Sequence, residues 1–448
     1  MPASTSAGFP PTEPIVVHRG RIPLRDSFAS LSIRNYRRFQ ASQVIAHTSG
    51  WMQRIATDWL VFELTGNIAA VGLTVLFQWG PMILFGAWGG VLADRFPKRP
   101  LLMVIYGGFG ALSALLSALA LLGWAELWHV YLIAFVLGLA FVLEAPARVV
   151  LVSEMVDAHR LRNAISLGAT VFHFGGFVGP ALAGVVIALA GSGWAIAANA
   201  LGMLMVVVTL TTLRRNELSP VPRSPHARGQ LRAALRYIRR KPTILWPMVL
   251  AAFISTFGMP LPVLLTGMAD RVFATGATGY GLYTSVVAIG ALSGALLSTR
   301  VRTLRLRTIF GAAVVFGIVQ ALAGLAPSTA LFLPLLVGIG IARLVQAILA
   351  DSLVQLSSNR SIRGRIMSLY VVVVIGGQAL GGPLMGAVAE LIGPRLAMVA
   401  AGGIPALAAM VIALIIARRG NLRLQLSLRR HQSIVSIVSR STVSPPQR

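Results

Sequence analysis

A chain of 448 residues that is 56% hydrophobic and only 12% charged carries about half the charge of a soluble globular protein, which excludes that class. With no cysteine it has no disulfide framework and no thiolate metal or redox chemistry. The net charge of +26 would suit nucleic acid, but apart from Arg54, Arg271, Arg343 and Arg395 the 39 Lys and Arg fall in the termini and alternate loops. That is the positive-inside pattern, so the charge records topology and contact with an anionic inner leaflet, and no nucleic-acid partner is expected.

Residues 1–38 hold Pro2, Pro10, Pro11, Pro14 and Pro23 and no continuous apolar core, so they read as a cytoplasmic tail and not a signal peptide. Apolar runs bounded by turn signals follow at 39–64, 70–93, 101–123, 127–149, 163–190, 194–213, 244–268, 279–299, 308–326, 329–351, 364–392 and 396–417. Each is close to the ~20 residues a helix needs to cross a bilayer. The expected fold is an all-α membrane protein of twelve transmembrane helices, six over 39–213 and six over 244–417. An even number returns both termini to one side, the cytoplasm by the charge bias. Turns on the other side are as short as Thr65-Gly66-Asn67, which leaves no external domain to bind a protein.

The first helix is polar for a segment in lipid, with Gln43, His47, Gln53, Arg54 and Asp58. Charges at such depth normally face a cavity or a partner. Arg54 and Asp58 stand four apart, within pairing reach. They read either as a self-neutralised pair or as a protonatable Asp58 whose surroundings change as a cavity opens and closes. Between the second and third runs, 89–100 is a charge-dense turn with Gly90, Asp94, Arg95, Lys98 and Arg99. Gly90 offers no side chain to obstruct a neighbouring helix, and Asp94 is placed to meet a helix N-terminus or an arginine across the bundle.

In the fourth helix Glu144 and Arg148 form another acid–base pair at helical spacing. Arg148 either snorkels to the cytoplasm or serves the cavity; Glu144 lies deeper. The fifth helix carries Gly175, Gly179, Pro180 and Gly184, which permit close helix contact and bending. The linker 214–243 opens with Pro220, Pro222 and Pro225, then sets Leu231, Leu235 and Ile238 among Arg232, Arg236, Arg239, Arg240 and Lys241. It is expected to lie on the inner leaflet as a basic amphipathic helix.

The tenth helix holds Arg343 and Gln346, with Asp351 near its inner end. Arg343 is the most conspicuous intramembrane cation and calls for an anion. Arg363 and Arg365 begin the eleventh helix, and a basic tail fills 418–448, where Leu422, Leu424, Leu426 and Leu428 alternate as if to rest on lipid. The halves repeat: Gly89–Arg95 aligns with Gly294–Arg300, and Gly175–Pro180 with Gly377–Pro383, although Thr299 stands where the first half has Asp94. A duplicated six-helix half is a transporter architecture. No His-Glu-x-x-His, Gly-x-Ser-x-Gly or Walker-A loop is present, and no enzyme is expected.

Gly90, Ala93, Asp94, Arg95, Lys98 and Arg99 resemble the signature loop of the major facilitator superfamily, with Pro97 in place of the usual glycine. The segment Trp51–Gly66 and Pro146-Ala147-Arg148 resemble the enterobactin-exporter-like branch, and Gly175–Gly184 resembles the antiporter signature of the fifth helix. Generic small-residue packing is the alternative for that last run, since the eleventh helix carries a similar one. The resemblance implies a monomeric multi-pass protein of the inner membrane, driven by the proton gradient without a cofactor, exporting an amphipathic drug-like or siderophore-like molecule by alternating access. Alternatives of the same architecture are a substrate-specific carrier, a lysophospholipid transporter, or proton-coupled uptake. Helices 1, 4, 7 and 10 would line the cavity, Asp58 and Glu144 would couple to protons, and Arg54 and Arg343 would be their partners or substrate contacts. Asp94 would brace an inner gate against Arg363 or Arg365.

Overall fold

The computed structural model describes residues 26–219, 230–298, 306–359, 362–419, 422–426 and 435–439. After a 3-10 turn at Asp26–Ser32 come α1 Arg34–Thr65, α2 Ile68–Ala93, α3 Lys98–Leu121, α4 Leu127–Met155, α5 Ala158–Ala190 and α6 Ser192–Thr212. A short helix, α7 Gln230–Arg240, precedes the second set. That set is α8 Pro242–Phe253 with α9 Leu261–Gly267, then α10 Gly276–Ser298, α11 Leu306–Gly324, α12 Thr329–Ser357, α13 Arg363–Ile392 and α14 Pro394–Arg419. α8 and α9 form one crossing, interrupted at Pro260 and loosened into π-helical turns at Ile254–Gly258 and Met268–Val272.

Among the described residues, eleven crossings have the length and composition to span a membrane, and α1 is the twelfth. Its polar side chains lower its hydropathy, but they are buried between neighbouring helices instead of facing lipid. Several helices outrun the apolar stretches that announce them: α1 starts at Arg34, α4 reaches Met155 and α12 reaches Ser357. Hydropathy marks the hydrocarbon, and a helix continues through the headgroup region on polar residues. The face reached by Arg34 and Arg419 is called here the terminal face, and the other the distal face. On the distal side Gly66, at φ 62°, ends α1 in the left-handed conformation, and the Asn67 side chain accepts from the N–H groups of Ala69 and Ala70 to start α2.

Glycines set the helix crossings, in the same way in both halves. A Cβ on Gly89 would lie 2.5 Å from the Val142 carbonyl oxygen, locking α2 to α4; one on Gly294 would lie 2.6 Å from that of Ile341, locking α10 to α12. Gly90, expected to be the contact residue, has nothing within 4 Å of such a Cβ. The residue one place earlier faces the neighbour, because adjacent helical positions point about 100° apart.

The linker helix α7 does not simply lie on the bilayer. Ile238 is buried with Ile244, Met248, Val354, Ile366 and Tyr370, and Lys241 Nζ donates to the Ser357 carbonyl at 2.6 Å. An apolar side chain with a protein groove within reach is better buried there than in the headgroup layer, where water penetrates. The side chains of Leu231 and Arg232, and the counterpart loop Thr299–Arg300, lie outside the described residues. Beyond α14, Leu422–Leu426 pairs antiparallel with Val435–Ser439, a strand pair that the reading of these leucines as resting on lipid did not include.

Candidate functional site

The polar residues of α1 open onto a cavity of about 180 Å³ inside the first bundle. Aromatic rings of Trp51, Trp79, Phe109, Phe141 and Phe172 form much of its wall, and Gln43, His47, Arg54 and Glu144 are among its polar groups. Such a surface suits a molecule with a flat apolar body and few polar contacts. Gly175 and Gly179 bring α5 onto α1 there: a Cβ on Gly175 would lie 2.7 Å from the His47 carbonyl carbon, and one on Gly179 would lie 2.6 Å from the Thr48 oxygen. The equivalent glycines of α13, Gly377 and Gly381, press on Ser255 and Thr256, where the α8–α9 crossing loosens. Small residues therefore fix the equivalent helix contacts in both halves.

Two buried networks cross this bundle. Tyr106 donates to Glu144 Oε1 at 2.7 Å, Arg148 Nε donates to the same oxygen at 2.7 Å, and Gln43 Nε2 donates to the Tyr106 hydroxyl at 3.3 Å. Ser113 donates to Gln53 Oε1 at 2.7 Å, and Asn199 donates to both Ser113 and Gln53. Burying these groups is tolerable because they satisfy one another.

Asp58 lies between the bundles, seven residues before the end of α1 and so roughly 10 Å from the distal face. Only 2% of it is exposed. Tyr280 of α10 donates to its Oδ2 at 3.3 Å, while Oδ1 is buried without a partner. Arg54, expected beside it, forms no ion pair with it. Its guanidinium lies over the rings of Trp51 and Trp79, at 4.9 and 4.5 Å. The two ring faces hold the guanidinium by cation–π attraction and leave it lining the cavity.

The distal ends of the two bundles are shut against each other. Besides Tyr280–Asp58, the backbone N–H of Ile68 donates to Glu390 Oε2 at 3.0 Å; Arg271 donates to Glu390 Oε1 at 3.0 Å and to the Gly66 carbonyl at 2.6 Å. A Cβ on Gly382 would lie 2.7 Å from the Gly72 oxygen, and one on Gly386 would lie 2.8 Å from that of Ile68. Toward the terminal face the contact is lighter: a Cβ on Gly376 would make only ordinary contact with the Ile83 side chain, 3.7 Å away, and one on Gly364 has nothing within 4 Å. Replacing Glu390 by alanine should weaken the distal closure by about 1 kcal/mol, a roughly fivefold shift in population, because the ion pair is half-exposed and the helix cap is also lost. Spin labels on cysteines introduced at Leu122 and Leu325 would read it as a longer-distance population; an unchanged distribution would dismiss the lock.

Shut at the distal face and in lighter contact toward the terminal one, the two bundles meet as bodies beside the cavity that the first encloses. A family model described as a transmembrane secretion effector, of the major facilitator superfamily, matches residues 25–437. The chain belongs to that family. The transporter is 27% identical over 346 residues to the enterobactin exporter EntS of Escherichia coli O127:H6, a match covering 76% of this chain and 81% of that protein. Its fold is shared with a bacterial homologue of the human lysosomal transporter Spinster, in an inward-facing and occupied conformation, at TM-score 0.70 and 15% identity over 89% of this chain and 98% of that one. A bacterial homologue of the iron transporter ferroportin, in an inward-facing state, superposes at TM-score 0.65 and 15% identity, covering 85% and 98%.

Among the residues singled out in the transporter's sequence, Arg54, Glu144 and Gln43 meet at one cavity, while Asp58 and Gly184 sit at the seam between bundles. Arg343 and Gln346 stand apart on α12, and Arg343 is at mid-helix, fourteen residues from each end, because α12 continues past Asp351. Asp94 is not joined to Arg363 or Arg365; it pairs with Lys98 at 3.4 Å. Arg363 Nε is buried without a partner, Arg95 is exposed, and Arg99 donates to the carbonyls of Leu210 and Thr211, capping α6. Bonded to neither arginine, Asp94 turns to the lysine a helical turn away. The sequence marked Arg271 only as a charge outside the positive-inside pattern, and did not single out Tyr106, Tyr280, Asn199 or Glu390. A tyrosine hydroxyl or a carboxylate in an apolar helix signals a partner, but the partners are far along the chain.

Proposed function

We propose that the transporter exports an amphipathic small molecule, drug-like or siderophore-like, across a bacterial inner membrane in exchange for protons. The terminal face carries nearly all the positive charge and is the cytoplasmic one in this reading, so the state described above is open inward with its outer seam closed. The observation that carries the coupling is Asp58, a carboxyl buried at the seam, held by one hydrogen bond from the opposite bundle and otherwise unsatisfied. Rocking the seam open parts Tyr280 from Asp58 and gives the carboxyl to the outer water, where it takes up a proton as substrate leaves. Closing the seam carries that proton inward, and its loss toward the cytoplasmic side resets the cycle. Similarity to the enterobactin exporter EntS supports the outward direction. The contact of Asp94 with Arg363 or Arg365 belongs, in this scheme, to the opposite state, in which the cytoplasmic ends shut.

The test is retention of a lipophilic dye or a siderophore in expressing cells, with wild type beside Asp58→Asn and with or without a protonophore. Wild-type efflux should fall at least about tenfold with either treatment, since asparagine keeps the shape and cannot carry the proton. Protonophore-sensitive efflux that survives Asp58→Asn would move the coupling to Glu144. Efflux indifferent to the protonophore would refute proton exchange.

A further inference from the structure

Arg343 carries a charge that the exchange scheme does not use. It lies roughly 21 Å along α12 from either end, half-buried. Of the thirteen acidic residues in the sequence only the side chains of Glu13 and Asp26 lie outside the described ones, and among the described residues no carboxylate pairs with Arg343. The other deep cations are accounted for: Arg54 lies on two indole rings and Arg148 holds Glu144. One turn beyond Arg343, Gln346 is 3% exposed, and its Nε2 has no hydrogen-bond partner. Residues three apart share a helix face. From the opposite bundle His173 of α5 comes within electrostatic reach of Arg343, and its neighbour Phe172 lines the aromatic cavity.

Guanidinium, amide nitrogen and imidazole all present N–H donors. A guanidinium left without an anion at mid-membrane depth is costly, and that cost is relieved only when an acceptor arrives. A donor-rich site with a fixed positive charge takes a group that only accepts: a carboxylate, sulfonate or phosphate. We infer that Arg343 and Gln346, faced by His173, bind the anionic group of the transported molecule, whose apolar body lies toward Phe172 and Trp51. The substrate is then an amphipathic organic anion. This rests on the transport reading above for its cargo, but its test does not depend on direction or on protons.

The full-length transporter in nanodiscs is equilibrated with anilinonaphthalene sulfonate or with the neutral phenylnaphthylamine, which share a ring system and differ by the sulfonate, and binding to empty nanodiscs is subtracted. Wild type should bind the anion about tenfold more tightly than the neutral probe. Arg343→Gln should erase that preference while leaving the neutral probe within about twofold, and Arg343→Lys should keep an intermediate preference because it retains the charge without the fork. Matched elution of the variants on size exclusion guards against misfolding, and the lysine variant keeps the test open if glutamine does not fold. Displacement of the bound sulfonate by naphthoate assigns the site to soluble anions; displacement by lysophosphatidylglycerol alone assigns it to a lipid headgroup. Either supports an anion site. Displacement by neither, no anion preference in wild type, or a preference unchanged in Arg343→Gln overturns it. Protonophore-sensitive efflux of the neutral probe by wild type, measured alongside, separates a missing anion site from a missing export activity.

Discussion

Replacing Gly281 by leucine is expected to abolish transport while leaving the protein folded, with its distal seam held open. α5 and α10 meet there main chain on main chain: a Cβ on Gly184 would already lie 2.6 Å from the Gly281 Cα. Overpacking a well-filled contact costs about 1–3 kcal/mol when the surroundings must deform. Here a cheaper relief exists, because the contact joins two bundles that can separate as bodies. At 1.4 kcal/mol per factor of ten, a penalty of about 3 kcal/mol changes the closed population more than a hundredfold. Tyr280 precedes the substituted residue, so separation also withdraws its hydroxyl from Asp58. Since the chain has no cysteine, labels at Leu122 and Leu325 need no background removal, and Gly281→Leu should lengthen their separation. Gly108→Leu serves as the control, because nothing lies within 4 Å of a Cβ there. Wild-type distances with wild-type efflux in Gly281→Leu would eliminate the seam as a moving contact.

The twelve crossings and the two-fold repeat were legible because hydropathy and glycine spacing are local properties, summed over ~20 residues at a time. The unusual polarity of α1 was legible for the same reason. Partners were not. Asp58 takes its hydrogen bond from a residue 222 positions away, and Glu390 caps a helix that starts 322 positions earlier. Spacing on one helix announces a possible pair, as for Arg54 and Asp58, but cannot weigh it against Trp79, which arrives from α2. Asp94 shows the converse: Lys98, four residues on, was the nearer partner, and the family pattern directed attention across the bundle. Gly89 and Gly90 differ by one helical step, and only the packed neighbour decides which must be small. Arg343 was legible as a charge lacking an anion, and the folded chain supplies none among its described residues.

Substituting Arg148 by methionine should destabilise the protein more than substituting its partner Glu144 by glutamine. The pair is asymmetric: the arginine side chain is 23% exposed and the glutamate 4%. Without Arg148, a buried carboxylate keeps only the Tyr106 hydroxyl donating to Oε1, and removing one member of a buried ion pair costs about 3–5 kcal/mol. Without Glu144, Arg148 can still reach water, and a glutamine oxygen still accepts from Tyr106, so about 1 kcal/mol is expected. The double variant, Glu144→Gln with Arg148→Met, should therefore melt above Arg148→Met alone, because no uncompensated charge remains. Thermal unfolding of the four proteins in one detergent gives that order; a double variant less stable than Arg148→Met would mean the pair contributes more than the sum of its charges. The same four proteins separate structure from transport. A double variant that folds and exports at the wild-type rate confines the pair to a packing role. One that folds and fails places the Gln43–Tyr106–Glu144 chain in the path of the proton or the substrate, with the cavity it lines.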